Sequence, residues 1–523
     1  MKKAKKLLTL LLALLMTLSL VACGNDAAPA DEGGEDVAAA PTDTLVVLSS
    51  GAFQGDWDPT NNTILANKHL EWVVFDTLFH KDASGNFIPG LAESWEWLED
   101  GYTLQIKVRE GVTFHDGSAF DAEDVVASVK YLTRPESALA SNYGSEFDGE
   151  VVDQYTANIW PTDKSPKGNV LDLLYAHAMM SADDIANKTL STTMNGCGPY
   201  KFVKYENETC YLEAFENYWD TANAAKMKYC EYKYVAESST RLAALQTGEA
   251  QLIERVDIEQ VPLLEADATV EYSKVFVDEQ KYMIFKCTQD VMQEELVRKA
   301  ISYAIDRETI VNDILGGYAV LADAYVSHVN PAYSPASGMP TYDPEKAKAL
   351  LAEAGYPNGE GLPEISYITS VGLYPKTKEY AEYIKSTLEE VGFKINLIVE
   401  EVAAWETDLY LEDSCLMCDT GWMNVGGDTN FIIASHYGSN GIPGRCNFSH
   451  YDEVDAAMAA ETAATDPAER KAIIQNDLWP LLVETNTNMP LFDSVLIYGY
   501  SADLQGLEVL PSSNISFNKL SVG

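Results

Sequence analysis

Apolar residues at helical spacing follow three aspartates that are suited to cap a helix: Asp121, Asp343 and Asp466. After Asp343 and Asp466 a proline takes the first helical position, where its fixed φ is favourable and its missing N–H costs nothing. Gly355 is placed to end the second of these helices. A further buried stripe in residues 296–305 predicts a fourth helix.

Short segments with period-two or continuous hydrophobicity alternate with these helices and predict strands. They lie at residues 45–48, 104–108, 365–368, 394–399 and 495–498. Residues 199–215 predict a hairpin that turns near residues 206–208. Residues 361–420 show the order strand, helix, strand, strand, so the sequence predicts a fold of the α/β class.

The amino-terminal residues have the layout of a secretory signal. Four lysines at positions 2, 3, 5 and 6 precede an apolar run, residues 7–20, that is too short to span a bilayer comfortably. The run ends in Leu20-Val21-Ala22-Cys23, which resembles the lipobox of bacterial lipoproteins. That resemblance implies a signal peptide over residues 1–22 and a diacylated Cys23; an ordinary signal peptide with a chance cysteine is the alternative.

Residues 23–41 would then form a lipidated, flexible tether, because Ala, Pro, Gly, Asp and Glu dominate this stretch and cannot build a core. The remaining chain of about 500 residues is longer than one hydrophobic core usually serves, so two or three lobes are expected. A net charge of −44 argues against binding to nucleic acid or to anionic lipid. An extracytoplasmic protein anchored to the bacterial cell membrane by lipid, on the cell surface or periplasmic face, fits these features.

Seven cysteines besides Cys23 are spread along the chain, and an odd number cannot all pair internally. The Cys415-x-x-Cys418 motif is typical of redox or metal sites, but it has no second ligand pair nearby and sits in an apolar, strand-like segment. We therefore interpret both as buried thiols. A disulfide between Cys210 and Cys230 stays open as an alternative, because both fall on predicted neighbouring strands.

Five motifs occur in a fixed order along the chain. They lie at residues 91–117, 198–202, 242–249, 297–307 and 342–357. Together they resemble the peptide/nickel-type (family 5) solute-binding proteins of ABC importers over nearly the whole mature chain. Most of the motif residues are interpreted as structural, including His115, which falls in a Phe-His-Asp-Gly turn.

The resemblance implies a type II periplasmic-binding-protein clamshell, with two α/β lobes, an inserted third domain and a ligand cleft closed by hinge motion. The implied boundaries are lobe I from residues 42–76, 196–278 and 490–523, the inserted domain from 77–195, and lobe II from 279–489.

The resemblance also implies a pocket segment at residues 421–431, in which Asp428 would pair with the α-amino group of a ligand. In a dry cleft such an ion pair is much stronger than at the surface. The alternative is that Asp428 caps a helix that starts near Asn430.

Other pocket residues follow from the same segment and from the opposite lobe. Trp422, Asn424 and Gly427 would supply a wall and hydrogen bonds. Phe53 would face the cleft from lobe I, and Arg445 is the candidate for the ligand carboxylate.

The implied function is capture of di- or oligopeptides for the permease subunits of an ABC importer, by a monomer without cofactor, metal site or enzymatic activity. Sequence signatures of serine hydrolases, zinc proteases, P-loop enzymes and dinucleotide enzymes are missing. Three alternatives remain: a receptor for a metal chelate or other small amino-containing solute, a secreted glycoside hydrolase with two carboxylates, and a sensory or adhesive lipoprotein.

Overall fold

A mixed sheet of eleven strands runs through the described part of the chain. The computed structural model describes residues 43–61, 64–82, 85–140, 144–424, 428–439 and 448–523. Cys23, Gly427 and Arg445 lie outside the described residues, as do the signal peptide and the tether.

Nineteen strands occur in these residues. They are β1 Thr44–Ser49, β2 Phe79–Lys81, β3 Phe87–Pro89, β4 Ala92–Trp97, β5 Leu104–Val108, β6 Phe147–Asp153, β7 Thr156–Pro161, β8 Tyr200–Glu206, β9 Thr209–Ala214, β10 Tyr229–Tyr234, β11 Leu252–Ile253, β12 Val270–Phe285, β13 Ala319–Leu321, β14 Ile365–Val371, β15 Ile395–Glu401, β16 Met417–Met423, β17 Asn488–Ser501, β18 Leu504–Gln505 and β19 Ser521–Val522.

The α-helices of the described residues number fifteen. They are α1 Leu65–Val74, α2 Ala122–Thr133, α3 Val170–Ala176, α4 Ala182–Asn187, α5 Ser238–Gln246, α6 Val261–Glu265, α7 Glu295–Ala304, α8 Arg307–Thr309, α9 Pro344–Glu353, α10 Thr377–Glu390, α11 Val402–Leu409, α12 Thr429–Tyr437, α13 Asp452–Ala463, α14 Pro467–Ile473 and α15 Trp479–Thr485.

Two long strands join the halves of the large sheet. β12 and β17 pair antiparallel from Val270↔Ser501 to Ile284↔Asn488, with a register shift between Phe276 and Gln280. On one side of this pair the sheet continues through β11, β1 and β10, and on the other through β16, β14 and β15. We call the half built on β1, β10 and β11 lobe I and the half built on β14, β15 and β16 lobe II.

Within each lobe the inner strands are parallel. β1 runs parallel to β10 and β11, and β14 runs parallel to β15 and β16. Ligands of open α/β sheets bind beyond the carboxyl ends of parallel strands. A ligand site is therefore expected at those strand ends. The segment after β16 in lobe II and the loop after β11 in lobe I both lie there.

A separate antiparallel sheet, in the order β4-β5-β7-β6, forms the inserted domain together with α2. Its apolar side chains share one core with lobe I, whereas lobe II has cores of its own. His115 fixes this junction: its Nε2 lies 2.9 Å from the Gly198 carbonyl, and burial lowers its pKa to about 4. The structural interpretation of His115 is confirmed.

Most local predictions are confirmed, and the expected α/β class is confirmed with them. Asp121, Asp343 and Asp466 each accept a hydrogen bond from the first turn of their helices, and Gly355 adopts the left-handed conformation with φ 94°. The order expected for residues 361–420 was incomplete, because α11 lies between its second and third strands. The exact lobe and domain boundaries remain predictions.

The cysteines behave as separate thiols. The described residues contain six cysteines, all of them buried and free, whereas Cys23 and Cys446 lie outside the described residues. β9 and β10 are neighbours as predicted, but Cys230 lies opposite Leu212 and Cys210 opposite Tyr232. The bridge between Cys210 and Cys230 is therefore wrong, because the two thiols are two residues out of register.

Gly168 makes a close backbone contact between the loop before α3 and lobe II. Its N–H donates to the Thr462 carbonyl at 2.9 Å, and a Cβ added there would lie 1.7 Å from the Ala464 carbonyl oxygen. We expect Gly168→Ala to lower the free energy of unfolding by about 1–3 kcal/mol, as overpacked sites do. Urea unfolding measures this, with Gly55→Ala as the control because nothing lies within 4 Å of its added methyl group. Equal stability of the two variants would contradict the contact.

Candidate functional site

We call the two strands that the lobes share, β12 and β17, the hinge strands. The segment that follows β16 is attached to the hinge strand β12. Asn424 is buried, its backbone N–H donates to the Asp278 carbonyl at 2.7 Å, and its Nδ2 donates to Asp278 Oδ2 at 2.9 Å. Asn424 Oδ1 is buried without a hydrogen-bond partner among the described residues. Asn424 thus ties the pocket segment to the hinge and keeps one acceptor unused.

Asp278 is the centre of a polar group at the hinge. It accepts hydrogen bonds from Ser327 Oγ at 2.6 Å and from Asn330 Nδ2 at 2.8 Å as well as from Asn424. Burial raises the pKa of Asp278 to about 6, although these hydrogen bonds favour its ionised form. A cavity of about 10 Å³, room for roughly one water molecule, lies beside it.

Trp422 forms part of the wall of this cavity. Its half-buried ring lies 5.9 Å from the ring of Phe431 and 6.0 Å from the ring of His436, both on α12. The predicted role of Trp422 as a wall is compatible with this position. The structure brings Trp422 and Asn424 together at the end of β16.

Asp428 stands directly before α12 and is 4% exposed. Its backbone has the extended geometry of a capping residue, φ −103° and ψ 133°, but its side chain makes no capping hydrogen bond. Instead, Oδ1 accepts a hydrogen bond from Arg470 Nη2 at 2.8 Å. The alternative role as a side-chain cap is therefore wrong, and an ion pair takes its place.

Arg470 is shared among three carboxylates. Besides Asp428 it contacts Glu461 Oε1 at 2.5 Å and Asp172 Oδ2 at 3.2 Å, and Lys81 Nζ lies 2.7 Å from the other oxygen of Asp172. We call these five residues the Arg470 cluster. It joins α12, α13 and α14 of lobe II to β2 and α3, which lie in the predicted inserted domain.

The Arg470 cluster carries one more acidic group than basic groups. Burial first, and then the charge of Asp428, raises the pKa of Glu461 to about 7. Burial likewise raises the pKa of Asp172. Burial opposes the charge of Arg470, but the neighbouring carboxylates outweigh it and raise its pKa. With this pKa, Glu461 is partly protonated at neutral pH, which offsets part of the surplus negative charge.

Phe53 lies in the loop after β1 and is half-buried. Its ring contacts among the described residues are with Tyr232 at 5.2 Å and Tyr205 at 5.8 Å, both in lobe I. The structure therefore places Phe53 at the expected strand end, without a ring contact to Trp422. The positions of Gly427 and Arg445 lie outside the described residues.

Sequence reasoning missed Arg470 as the partner of Asp428, and it missed Glu461 and Asp172 as the carboxylates that share this arginine. The Asp466-Pro467 signal correctly predicted the helix that carries Arg470, but periodicity gives no information on contacts between distant helices.

Among the described residues, no group of three or more His, Cys, Asp or Glu side chains is arranged to hold a metal ion. No helix in these ranges combines the length and hydrophobicity that a membrane crossing requires.

Two lobes that share the long strands β12 and β17, with a polar group where the segment after β16 meets β12, are typical of a hinged solute-binding protein. The family model of bacterial extracellular solute-binding proteins, family 5 middle, matches residues 86–444. The chain belongs to this family, and it is the extracytoplasmic solute-binding component of an ABC importer.

Known solute-binding proteins are similar to this chain in sequence or in structure over most of its length. The glutathione-binding protein GsiB of Escherichia coli (strain K12) is 29% identical over 490 residues, covering 90% of this chain and 93% of GsiB. NikZ from Campylobacter jejuni in complex with Ni(L-His) superposes with a TM-score of 0.80 at 21% identity, covering 92% of this chain and 100% of NikZ. A dipeptide-binding protein from Pseudoalteromonas sp. SM9913 in complex with Met-Leu gives 0.78 at 19%, with coverages of 92% and 100%. The expected type II clamshell is confirmed, and the family and these relatives are binding proteins.

Removing Arg470 tests the Arg470 cluster. We expect Arg470→Met to lower the free energy of unfolding by about 3–5 kcal/mol, because three buried carboxylates lose their common partner. Lys471→Met is the matched control, since it removes the same charge from the next, exposed residue of α14. Chemical denaturation of both variants measures the difference, and a loss no larger than that of the control would show that the cluster is not formed.

The raised pKa of Glu461 predicts a pH dependence with a definite sign. A folded carboxyl that keeps its proton up to a pKa of about 7, above the ordinary value of 4.5, stabilises the fold at low pH. This contribution is fully present below about pH 4.5 and is lost as the pH rises towards 7. We expect Glu461→Gln, which cannot ionise, to flatten the fall in stability between pH 5 and pH 8. Parallel denaturation curves of the variant and the wild type across this range would contradict the shift.

Proposed function

We propose that this protein captures short peptides with a free amino terminus in the cleft between its lobes and delivers them to the permease of an ABC importer. Family membership supports the transport role. The names of its relatives support the ligand class, since glutathione is itself a short peptide and Met-Leu is a dipeptide.

The surplus negative charge around Asp428 is the observation that carries the peptide proposal. Asp428 Oδ1 is bonded to Arg470, whereas Oδ2 accepts no hydrogen bond from the described residues. An α-ammonium group could donate to Oδ2 and would replace the proton that now offsets part of the charge. A buried pair of this kind is net favourable only when both ions have further hydrogen bonds, which Arg470 supplies for Asp428.

The roles of the other pocket residues are proposed from where each residue lies in the chain and in the fold. Trp422 would provide a flat apolar wall, and Asn424 Oδ1 would accept a peptide N–H. Phe53 would close the cleft from lobe I. The Gly427 backbone keeps its predicted role, and Arg445 remains one of two candidates for the ligand carboxylate, the other being Arg255 of lobe I.

We further propose that the mature chain is a monomer attached to the outer side of the bacterial cell membrane through acyl chains on Cys23. The lipobox-like sequence before Cys23 supports the anchor. Several acyl chains on one residue give stable attachment, because each buried methylene contributes about 0.8 kcal/mol.

Thermal unfolding with added ligands tests the peptide proposal. Dialanine, trialanine and glutathione are added in turn. We expect at least one of them to raise the Tm, since a ligand that binds only the folded state stabilises it. The N-acetylated form of the active peptide should give no shift, because it lacks the ammonium group. Asp428→Asn should abolish most of the shift while leaving the protein folded.

Three controls separate the alternatives. Mass spectrometry should recover the peptide intact after incubation, whereas a hydrolase would consume it. Nickel with L-histidine tests the metal-chelate receptor. Equal Tm shifts from free and acetylated peptides would show that Asp428 does not bind the α-amino group. No Tm shift from any peptide would show that short peptides are not the ligands.

A further inference from the structure

Arg255 lies at the edge of lobe I where the ligands of open α/β sheets bind. It comes two residues after the end of β11, which runs parallel to β1, so it lies beyond the carboxyl end of a parallel strand. The preceding side chain, Glu254, points into lobe I, where its Oε1 lies 2.8 Å from Tyr232 Oη and 3.1 Å from His69 Nδ1. Arg255 points to the hinge instead, towards Glu279 on β12.

The loop that carries Arg255 is held rigidly. Arg241 is 3% exposed and donates to four backbone carbonyls, those of Val235 at 2.8 Å, Ala236 at 2.7 Å, Glu254 at 3.1 Å and Arg255 at 2.8 Å. Arg255 itself adopts a left-handed backbone with φ 48°. Non-glycine residues held in this region are strained, and such strain concentrates at functional sites.

The guanidinium of Arg255 has no hydrogen-bond acceptor among the described residues. Its nearest carboxylate oxygen, Glu279 Oε2, is 3.6 Å from Nη2, which is beyond hydrogen-bond distance. The other six described arginines all donate hydrogen bonds to the protein: Arg109, Arg134, Arg241, Arg298, Arg307 and Arg470. The Arg255 side chain is also 29% exposed, so it is partly accessible to solvent.

Glu279 does not need Arg255 as its partner. Its Oε1 accepts a hydrogen bond from Ser494 Oγ at 2.7 Å and lies 3.0 Å from Lys281 Nζ. Lys281 is only 2% exposed, so its ammonium group lies inside the protein beside Glu279 and balances the charge of that carboxylate. Arg255 and Lys281 together carry one positive charge more than Glu279 neutralises, which favours a further anion beside them.

We propose that Arg255 receives the carboxylate of the ligand. A guanidinium presents a planar fork of N–H donors that matches a carboxylate, and the strength of this pair increases in a cleft that excludes water. The assignment rests on the proposed peptide function and deepens it, because it names the group that binds the second charged end. Arg255 belongs to lobe I and Asp428 to lobe II, so one zwitterionic ligand would contact both lobes and favour their closure.

Calorimetric titration of matched peptides tests the role of Arg255. Dialanine, trialanine and tetraalanine are titrated as free acids and as carboxyl-terminal amides. We expect the amides to bind the wild type about 10- to 100-fold more weakly, the effect of losing a hydrogen bond to a charged group. Arg255→Gln should weaken the binding of the free acids by a similar factor and leave the binding of the amides unchanged. Arg255→Lys should restore part of the affinity for the acids.

Lys188→Gln is the matched control, because Lys188 is an exposed cation with a left-handed φ of 59° at the end of α4. It should bind acids and amides as the wild type does. Equal binding of acids and amides by the wild type overturns the carboxylate role even if Arg255→Gln fails to fold. Undiminished binding of the acids by Arg255→Gln overturns it as well. Binding of no peptide in either form overturns the proposed function and the carboxylate site together.

Discussion

The antiparallel pairing of β12 with β17 is the constraint on which the rest of the structure depends. Both strands continue through lobe I and lobe II, so any movement of one lobe against the other must bend them, and the register shift between Phe276 and Gln280 marks the place of weakest pairing. Asp278 lies within this shift and binds the segment after β16 through Asn424. The proposed pocket wall is thereby coupled to the hinge itself, so that a ligand that contacts Asn424 would also affect the conformation of the hinge.

Buried charge concentrates where separate elements meet. The Arg470 cluster lies between lobe II and the predicted inserted domain, and Glu279 with Lys281 lies on the hinge strand. Buried ion pairs often contribute little net stability, because desolvation offsets the attraction, but an unpaired member is very unfavourable. Such groups therefore specify which surfaces meet more than they stabilise the fold. An orientation of the lobes that separated Arg470 from Asp172 would leave the carboxylate with Lys81 alone.

Local signals in the sequence predicted local structure well, and their limits are physical. The aspartates that cap α2, α9 and α14 act within four residues, so their helices could be placed from the sequence. The same reasoning located Asp428 at the start of α12 but not its partner Arg470, 42 residues away. It placed Cys210 and Cys230 on neighbouring strands, but strand register depends on the hairpin turn and packing of the whole sheet. The family resemblance supplied the clamshell, which no periodicity could.

The proposed ligand contacts have opposite character in the two lobes. In lobe II they are the acceptors Asp428 Oδ2 and Asn424 Oδ1, whereas in lobe I the proposed contact is the donor-only guanidinium of Arg255. A ligand with an ammonium at one end and a carboxylate at the other would satisfy both lobes, whereas a singly charged solute would leave one lobe, and an apolar solute both lobes, with an uncompensated group. Since desolvating an unpaired charge is costly, closure over such a solute is disfavoured. Selectivity for zwitterions would then arise from the closing motion itself, because only a ligand that neutralises both surfaces allows them to be buried together.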